Sequence, residues 1–381
     1  MVEGETHLLI TGDFCPINRI EKLTLDKSLD SIFNEFLDVF DGNDLNITDL
    51  ECPLTISQVT RPKYGPYQKA HPATIEILKQ CGFKLVTMAN NHIMDFGSKG
   101  AMDTIELCKA HEIDIVGIGL SREEASKPFE FISRGKRILI FNFADDEFLT
   151  TPEGSPFCNP LNIIQVYYDI ETAKFQCDYI IVIIHGGNEF YELPSPRVRE
   201  LYRYIIDLGA DAVISHHTHV MSGYEVYRSK PIFYGLGNFL YDWPGKRNST
   251  WNIGYAVRLS LGTDIGFKII PFKQCDELPA IFHLNEKEEL QFNLTLERLN
   301  EIIADDNRLK IEYVKYCNRV RPMYDAFIEP YFGRLITYLQ QRRILPKLMS
   351  RRKRLLLLNL IRCESHREVL LTLLKKYEAY K

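Results

Sequence analysis

Residues 210–220, "ADAVISHHTHV", begin as an apolar run and end with His216, His217 and His219 inside four positions. A short apolar segment bounded by polar residues reads as a buried strand. Histidine at a strand end is as often a satisfied polar residue as a ligand, so the cluster alone decides nothing. The decision rests on whether other apolar runs end the same way.

Four others do. "LLIT" runs into Gly12 and Asp13, "LNITDL" into Glu51, "KLVTM" into Asn90, Asn91 and His92, and "IIVII" into His185. Between these runs lie helical patterns. "SLDSIFNEFLDVF" places Leu29, Ile32, Phe36, Val39 and Phe40 on one stripe, and "SPRVRELYRYIIDLG" opens with Pro196 and stops at Gly209, the usual asymmetry of a helix. Alternating strands and helices predict a layered α/β fold. In such sheets ligands gather beyond the carboxyl ends of the strands, where loops converge over a rigid base. Five strand ends that all carry metal-ligand residue types are hard to attribute to solvated loop polarity, and they predict a metal site.

The texture changes near residue 280. From about Asn285 the periodicities are long and helical, as in "ELQFNLTLERLNEII" and "RRKRLLLLNLIRCESHREVLLTLLKKY". Residues 1–280 therefore read as the sheet-building domain and 281–381 as a helical, basic appendage. Arg334 to Lys381 holds 13 Lys and Arg against 3 Asp and Glu in a chain whose net charge is −5. Such a tail suits a membrane surface or an acidic envelope-biosynthesis partner, although a solvated helix face is the commoner use of a charge run. No aromatic-interleaved basic groove marks nucleic acid. No apolar stretch is long enough to span a bilayer. The first residues, "MVEGETHLLITGDF", carry no secretory pattern, so a cytoplasmic location, peripheral to the membrane, is expected. Nine cysteines without a C-x-x-C pair predict reduced, buried thiols and no disulfide framework.

In order along the chain, "TGDF", "DLECPLT", "MANNHIMDFG", "IIHGGNEF", "GADAVISHHTHV" with "GYEVY", and "PIFYGLGNF" resemble the motifs of the poly-gamma-glutamate capsule synthesis (CapA) family, a branch of the calcineurin-like metallophosphoesterases. The resemblance covers residues 11–242 and leaves out the helical tail. It implies an αββα sandwich holding two divalent transition-metal ions. Glu51 would bridge them, with Asp13 and His219 completing one shell and Asn91, His185 and His217 the other. His92 would be the general acid and Asp95 the partner that orients it. Glu189, Asn238 and His71 would line the substrate pocket. His216, outside the H-x-H spacing, reads as a neighbour of the ligands. Two ions about 3.5–4 Å apart activate water as hydroxide and neutralise phosphoryl charge, and the mixed oxygen and imidazole set suits manganese, iron or zinc.

One departure stands out. Related phosphoesterases carry histidine two residues after the first aspartate, where this chain has Cys15, flanked by Phe14 and Pro16. A free cysteine in apolar surroundings is usually an inert small hydrophobe, so Cys15 is expected to make no metal bond. Two classes of function follow. One is a hydrolase acting on an anionic substrate, a phosphoester or an amide of a gamma-glutamyl polymer. The other is a polymer-synthesis component whose metal site is structural or vestigial. The site, not the fold, must choose between them.

Overall fold

The first strand, Thr6–Cys15, is buried along almost its whole length, and its side chains alternate between two cores. Leu8 and Ile10 share one core with Ile138, Ile140, Ile181 and Val213; Leu9 lies in the other with Ile32, Phe36, Phe40 and Phe83, where Phe14 joins it beyond a register shift at Asp13. A period of two places successive residues on opposite faces of a sheet. This strand therefore has another layer on each side of it.

The structure, a computed structural model, describes residues 4–147, 156–328 and 349–375, together with 335, 338, 339, 342 and 344. Two large sheets form the middle. In the eight-stranded sheet the order runs Ile281–His283, Ile265–Gln274, Ile253–Leu261, Thr6–Cys15, Leu45–Leu50, Phe83–Thr87 and Asp114–Val116, and Asn238–Tyr241 also pairs with Thr6–Cys15. The six-stranded sheet runs Tyr224–Tyr227, Lys230–Phe233, Ala212–His216, Tyr179–His185, Lys136–Ala144 and Phe129–Ser133. Residues such as Ile32, Ile77, Ala101 and Cys108 from helical segments cover the outer face of the first sheet. Val166, Ile170, Tyr202 and Ile205, from the helices Ile163–Ala173 and Pro196–Leu208, join the core around the second. The architecture is a helix–sheet–sheet–helix sandwich, the αββα class. Truncating Ile10 to Ala, in the core between the sheets, would cost about 2–5 kcal/mol.

The register brings the strand ends together. Ala144 and His216 both stand opposite His185 in parallel pairs, and Asp13 stands opposite Asp49. The loops that leave these strands therefore start from one edge.

Local order departs from the sequence reading in three places. The stripe at 28–40 is a four-residue helix, Asp30–Phe33, followed by a 3-10 segment, Asn34–Phe40, because Asn34 takes φ 46° and breaks the turn; Phe33 is buried as a result. The long hairpin Ile253–Leu261/Ile265–Gln274, which extends the first sheet, has no counterpart in that reading. The terminal periodicity at 351–377 divides at Cys363 into the helices Arg351–Arg362 and Glu364–Lys375. These follow Glu286–Ala304, capped by a reciprocal Asn285/Glu288 box, and Asp306–Ile328. Leu356, Leu360, Val369 and Leu373 of the last two helices are buried in the core that contains the second sheet. Among the described residues no helix is long and apolar enough to cross a membrane.

Candidate metal centre

Glu51 lies just beyond the strand Leu45–Leu50 and is fully buried. None of the described residues gives either carboxylate oxygen a hydrogen bond. Around it stand His219 Nε2 at 3.4 Å and His185 Nε2 at 3.7 Å from Oε1. Burial first, then the like charges of Asp13 and Asp49, push the Glu51 carboxyl well above its ordinary range. A buried carboxylate without donors is costly unless positive charge meets it.

The donors around Glu51 point inward. His185 Nδ1 faces Asp49 Oδ2 at 3.1 Å. That bond places the proton on Nδ1 and leaves the Nε2 lone pair toward Asn91 Oδ1, 3.1 Å away. Asp49 itself is pushed up to about 7, by burial first, with the His216 charge opposing and the Asp13 charge adding. On the other side, His219 Nδ1 lies 3.1 Å from Asp13 Oδ2 and 3.0 Å from Asn238 Oδ1. Burial would raise Asp13, but its contact with His219 and the charges of the nearby histidines hold its carboxyl well below the usual range. Glu51, His217 and His219 offer ligand atoms within 4.8 Å of one another, and so do Asp13, Asp49 and His185. Lone pairs converging on two orphaned carboxylate oxygens make a donor set that divalent cations fit.

The backbone is bent to achieve this. His217 and His219 both take positive φ, 84° and 57°, a region that costs a non-glycine residue energy and is retained where the surroundings enforce it. The backbone N–H of His217 donates to the Asp13 carboxylate at 3.3 Å, which fixes the loop against the first strand. Close approach also decides Gly12, whose added Cβ would fall 1.8 Å from the Gly237 carbonyl oxygen.

His92 sits beside this cluster. Its Nδ1 is 2.7 Å from Asp95 Oδ2 and 3.2 Å from Lys63 Nζ, and Lys63 also pairs with Asp95. Asp95 Oδ2 further accepts from the Gln68 backbone N–H at 2.7 Å. Burial first, then the Lys63 charge, lower the His92 pKa against the pull of Asp95. The ring is thus locked through Nδ1, with Nε2 free of any protein partner among the described residues.

The structure thus brings Asp13, Glu51, Asn91, His92, Asp95, His185, His217 and His219 together. The remaining sequence candidates fall differently. Asn238 braces His219 and also donates to the carbonyls of His219 and Trp251, so it acts as a support of the cluster. His71 Nδ1 accepts from Ala73 N–H at 3.1 Å and caps the 3-10 turn Pro72–Thr74, the helix-entry use of a polar residue before proline. Glu189 is exposed, within 4.8 Å of ligand atoms of Glu147 and His217. His216 is buried, both ring nitrogens lack a hydrogen-bond partner among the described residues, and Nδ1 lies 3.5 Å from Asp13 Oδ1. Cys15 is buried against Cys52, and burial first, then that thiol, push its own thiol well up, which keeps it protonated and a poor ligand.

Sequence reasoning missed Asp49, Lys63 and Glu147. Asp49 carried a signal, since it stands two residues before Glu51 on a strand. Lys63 lies in a loop and Glu147 in an acidic triplet, Asp145 to Glu147, and neither is marked by pattern.

A family model described as bacterial capsule synthesis protein PGA_cap matches residues 7–243. The PGA biosynthesis protein CapA of Bacillus subtilis (strain 168) is 32% identical over 275 residues, 71% of this chain and 72% of that protein. The capsule biosynthesis protein CapA of Bacillus anthracis is 28% identical over 246 residues, 62% of this chain and 59% of that protein, less than two thirds of its length. Among solved structures, a 5'-nucleotidase from Candida albicans SC5314 aligns with a TM-score of 0.41 and 15% identity over 82% of this chain and 57% of its own.

Proposed function

The chain belongs to the bacterial capsule synthesis protein PGA_cap family, and from that premise we propose that it is a metal-dependent hydrolase of phosphoesterase type serving capsule or envelope polymer production. One observation carries the proposal. Among the described residues, a fully buried Glu51 without hydrogen-bond donors lies among inward-facing lone pairs, beside a histidine locked at Nδ1 and without a partner at Nε2. Two divalent ions, when bound, would supply Lewis acidity and a lowered pKa for water at this site. Glu51 would bridge them, Asp13 and His219 would hold one, and Asn91, His185 and His217 the other. The mixed oxygen and imidazole donors favour manganese, iron or zinc.

The remaining work falls to this chain's own groups. Asp95 and Lys63 hold the His92 ring so that Nε2 can deliver a proton to a leaving oxygen. Lys63, nearly wholly buried, brings positive charge next to that proton donor and to an anionic substrate. A second substrate for the same site is an amide of a gamma-glutamyl polymer, a reading prompted by a relative named for PGA biosynthesis. The basic balance of the last helices supports docking on a membrane surface or an envelope partner from the cytoplasmic side. Metal analysis of the purified chain, with rates on phosphoester and gamma-glutamyl amide panels, tests the reading. Two equivalents of transition metal with turnover of either panel are expected. Bound metal without turnover would leave a structural centre in a non-catalytic component, and no metal would end the reading altogether.

A further inference from the structure

Glu147 is buried, 212 residues from Asn359 and 219 from His366 in sequence, yet it touches both. Its Oε1 accepts from Asn359 Nδ2 and from His366 Nε2, each at 3.2 Å. Its Oε2 accepts from Asn91 Nδ2 at 3.2 Å and lies 3.4 Å from His217 Nε2. We infer that Glu147 is a positioning residue for the ion side formed by Asn91, His185 and His217, and that the C-terminal helices hold it in place. The inference rests on the reading of the centre as a metal site.

The chemistry follows from which atoms can donate. An amide that gives its Nδ2 hydrogen to Glu147 must turn Oδ1 the other way, and Asn91 Oδ1 does face His185 Nε2. A neutral imidazole that gives its Nε2 hydrogen to Glu147 keeps a lone pair on Nδ1, and His217 Nδ1 faces His185 Nε2 at 3.1 Å. One carboxylate oxygen thereby sets the orientation of two ligands, as outer partners of metal ligands commonly do. The other oxygen is set by the tail. Tyr324 Oη stands 2.7 Å from His366 Nδ1, and a neutral His366 that gives its Nε2 hydrogen to Glu147 accepts there from the hydroxyl. Tyr324 is itself buried, on the helix Asp306–Ile328.

The helix Glu364–Lys375 is pinned independently of Glu147. Ser365 Oγ donates to Asp145 Oδ2 at 2.8 Å, and the same oxygen accepts from the Gly187 backbone N–H at 3.2 Å. Glu368 accepts from Ser195 Oγ and from the side chain of Arg197. Asp145 and Glu147 thus tie the last helices to the three strand exits that carry His185, His217 and Asn91. If docking of these helices favours the oriented ligands, ligand occupancy must favour docking to the same degree.

All four groups around Glu147 present hydrogens, so glutamine can satisfy only one side of it. Full-length protein, its Glu147→Gln form, and an Asn359→Ala/His366→Ala form would be titrated with cobalt(II), which reports ligand geometry in its visible spectrum. Glu147→Gln should weaken one equivalent by roughly 10–100-fold and alter its spectrum, leaving the second equivalent unchanged. The double variant, with Glu147 intact, should move the same equivalent in the same direction, and His366→Gln, which can still donate to Glu147, should restore it in part when Asn359 is present. A tail that served folding alone would lower the melting temperature and leave affinities and spectrum as they were. Wild-type affinity for both equivalents in Glu147→Gln overturns the role of Glu147, and an unaltered double variant overturns the role of the helices. Should Glu147→Gln not fold, the double variant and His366→Gln decide by the same readings. A wild-type chain that takes up no cobalt fails the metal reading itself.

Discussion

The two sides of the centre are braced by different parts of the chain. On the Asp13–His219 side, the brace is Asn238, whose strand pairs with the strand of Asp13, residue opposite residue. On the Asn91–His185–His217 side, Asp49, on a strand of the eight-stranded sheet, serves His185 at the end of a strand of the six-stranded one, but Asn91 and His217 lean on Glu147 and, through it, on helices from the far end of the chain. A brace inside a sheet is as stable as the sheet. A brace made by a docked helical pair can be lost locally, at a free energy below that of global unfolding.

Substitutions at three sites test this contrast. The largest effect belongs to Glu51, which on the proposed reading serves both sides. Glu51→Gln removes the shared charge, so both equivalents of metal should fall away together, and two retained equivalents by elemental analysis would break the symmetry argument at its centre. His92 comes next. His92→Ala should lose roughly 10²–10⁴-fold in rate on alkyl esters and less on nitrophenyl esters, whose leaving groups need little protonation. Metal content should stay as in the wild type, and a drop in either equivalent would move His92 into the ligand set. The smallest effect sharpens the comparison itself. Asn238→Ala should weaken only the Asp13–His219 equivalent, by roughly 10–100-fold, and competition titration that finds the other equivalent weakened instead would reverse the assignment of sides.

What the sequence discloses follows the same division. Asp13, Glu51, Asn91, His185, His217 and His219 are legible because each closes an apolar run, and the period of those runs predicts the strands that carry them. Their positive φ values are not legible, since nothing in "SHHTHV" signals left-handed backbone at two histidines. Glu147 is one of three consecutive acids on a strand exit, and its selection depends on partners more than 200 residues away. No local pattern encodes a contact of that span. The hairpin at 253–274 has a different explanation: Ile253–Leu261 and Ile265–Gln274 pair antiparallel across a tight turn, without the intervening helix that marks the other strands in sequence. Asn34 shows the reverse. An apolar stripe at 28–40 is continuous in sequence while the backbone is not.

The meeting of Gly12 and Gly237 reaches further than packing. A Cβ at position 12 would lie 1.8 Å from one backbone oxygen and 2.9 Å from the carbonyl carbon behind it, neither of which can swing aside as a side-chain tip can. In a saturation library this position should therefore accept no replacement, not even alanine, whereas Gly135, whose Cβ meets nothing within 4 Å though its φ is 79°, should accept asparagine or aspartate with a small penalty. Because Asp13 follows the first glycine and Asn238 follows the second, intolerance at that one point of contact also fixes the spacing between the Asp13 carboxylate and the amide that steadies His219.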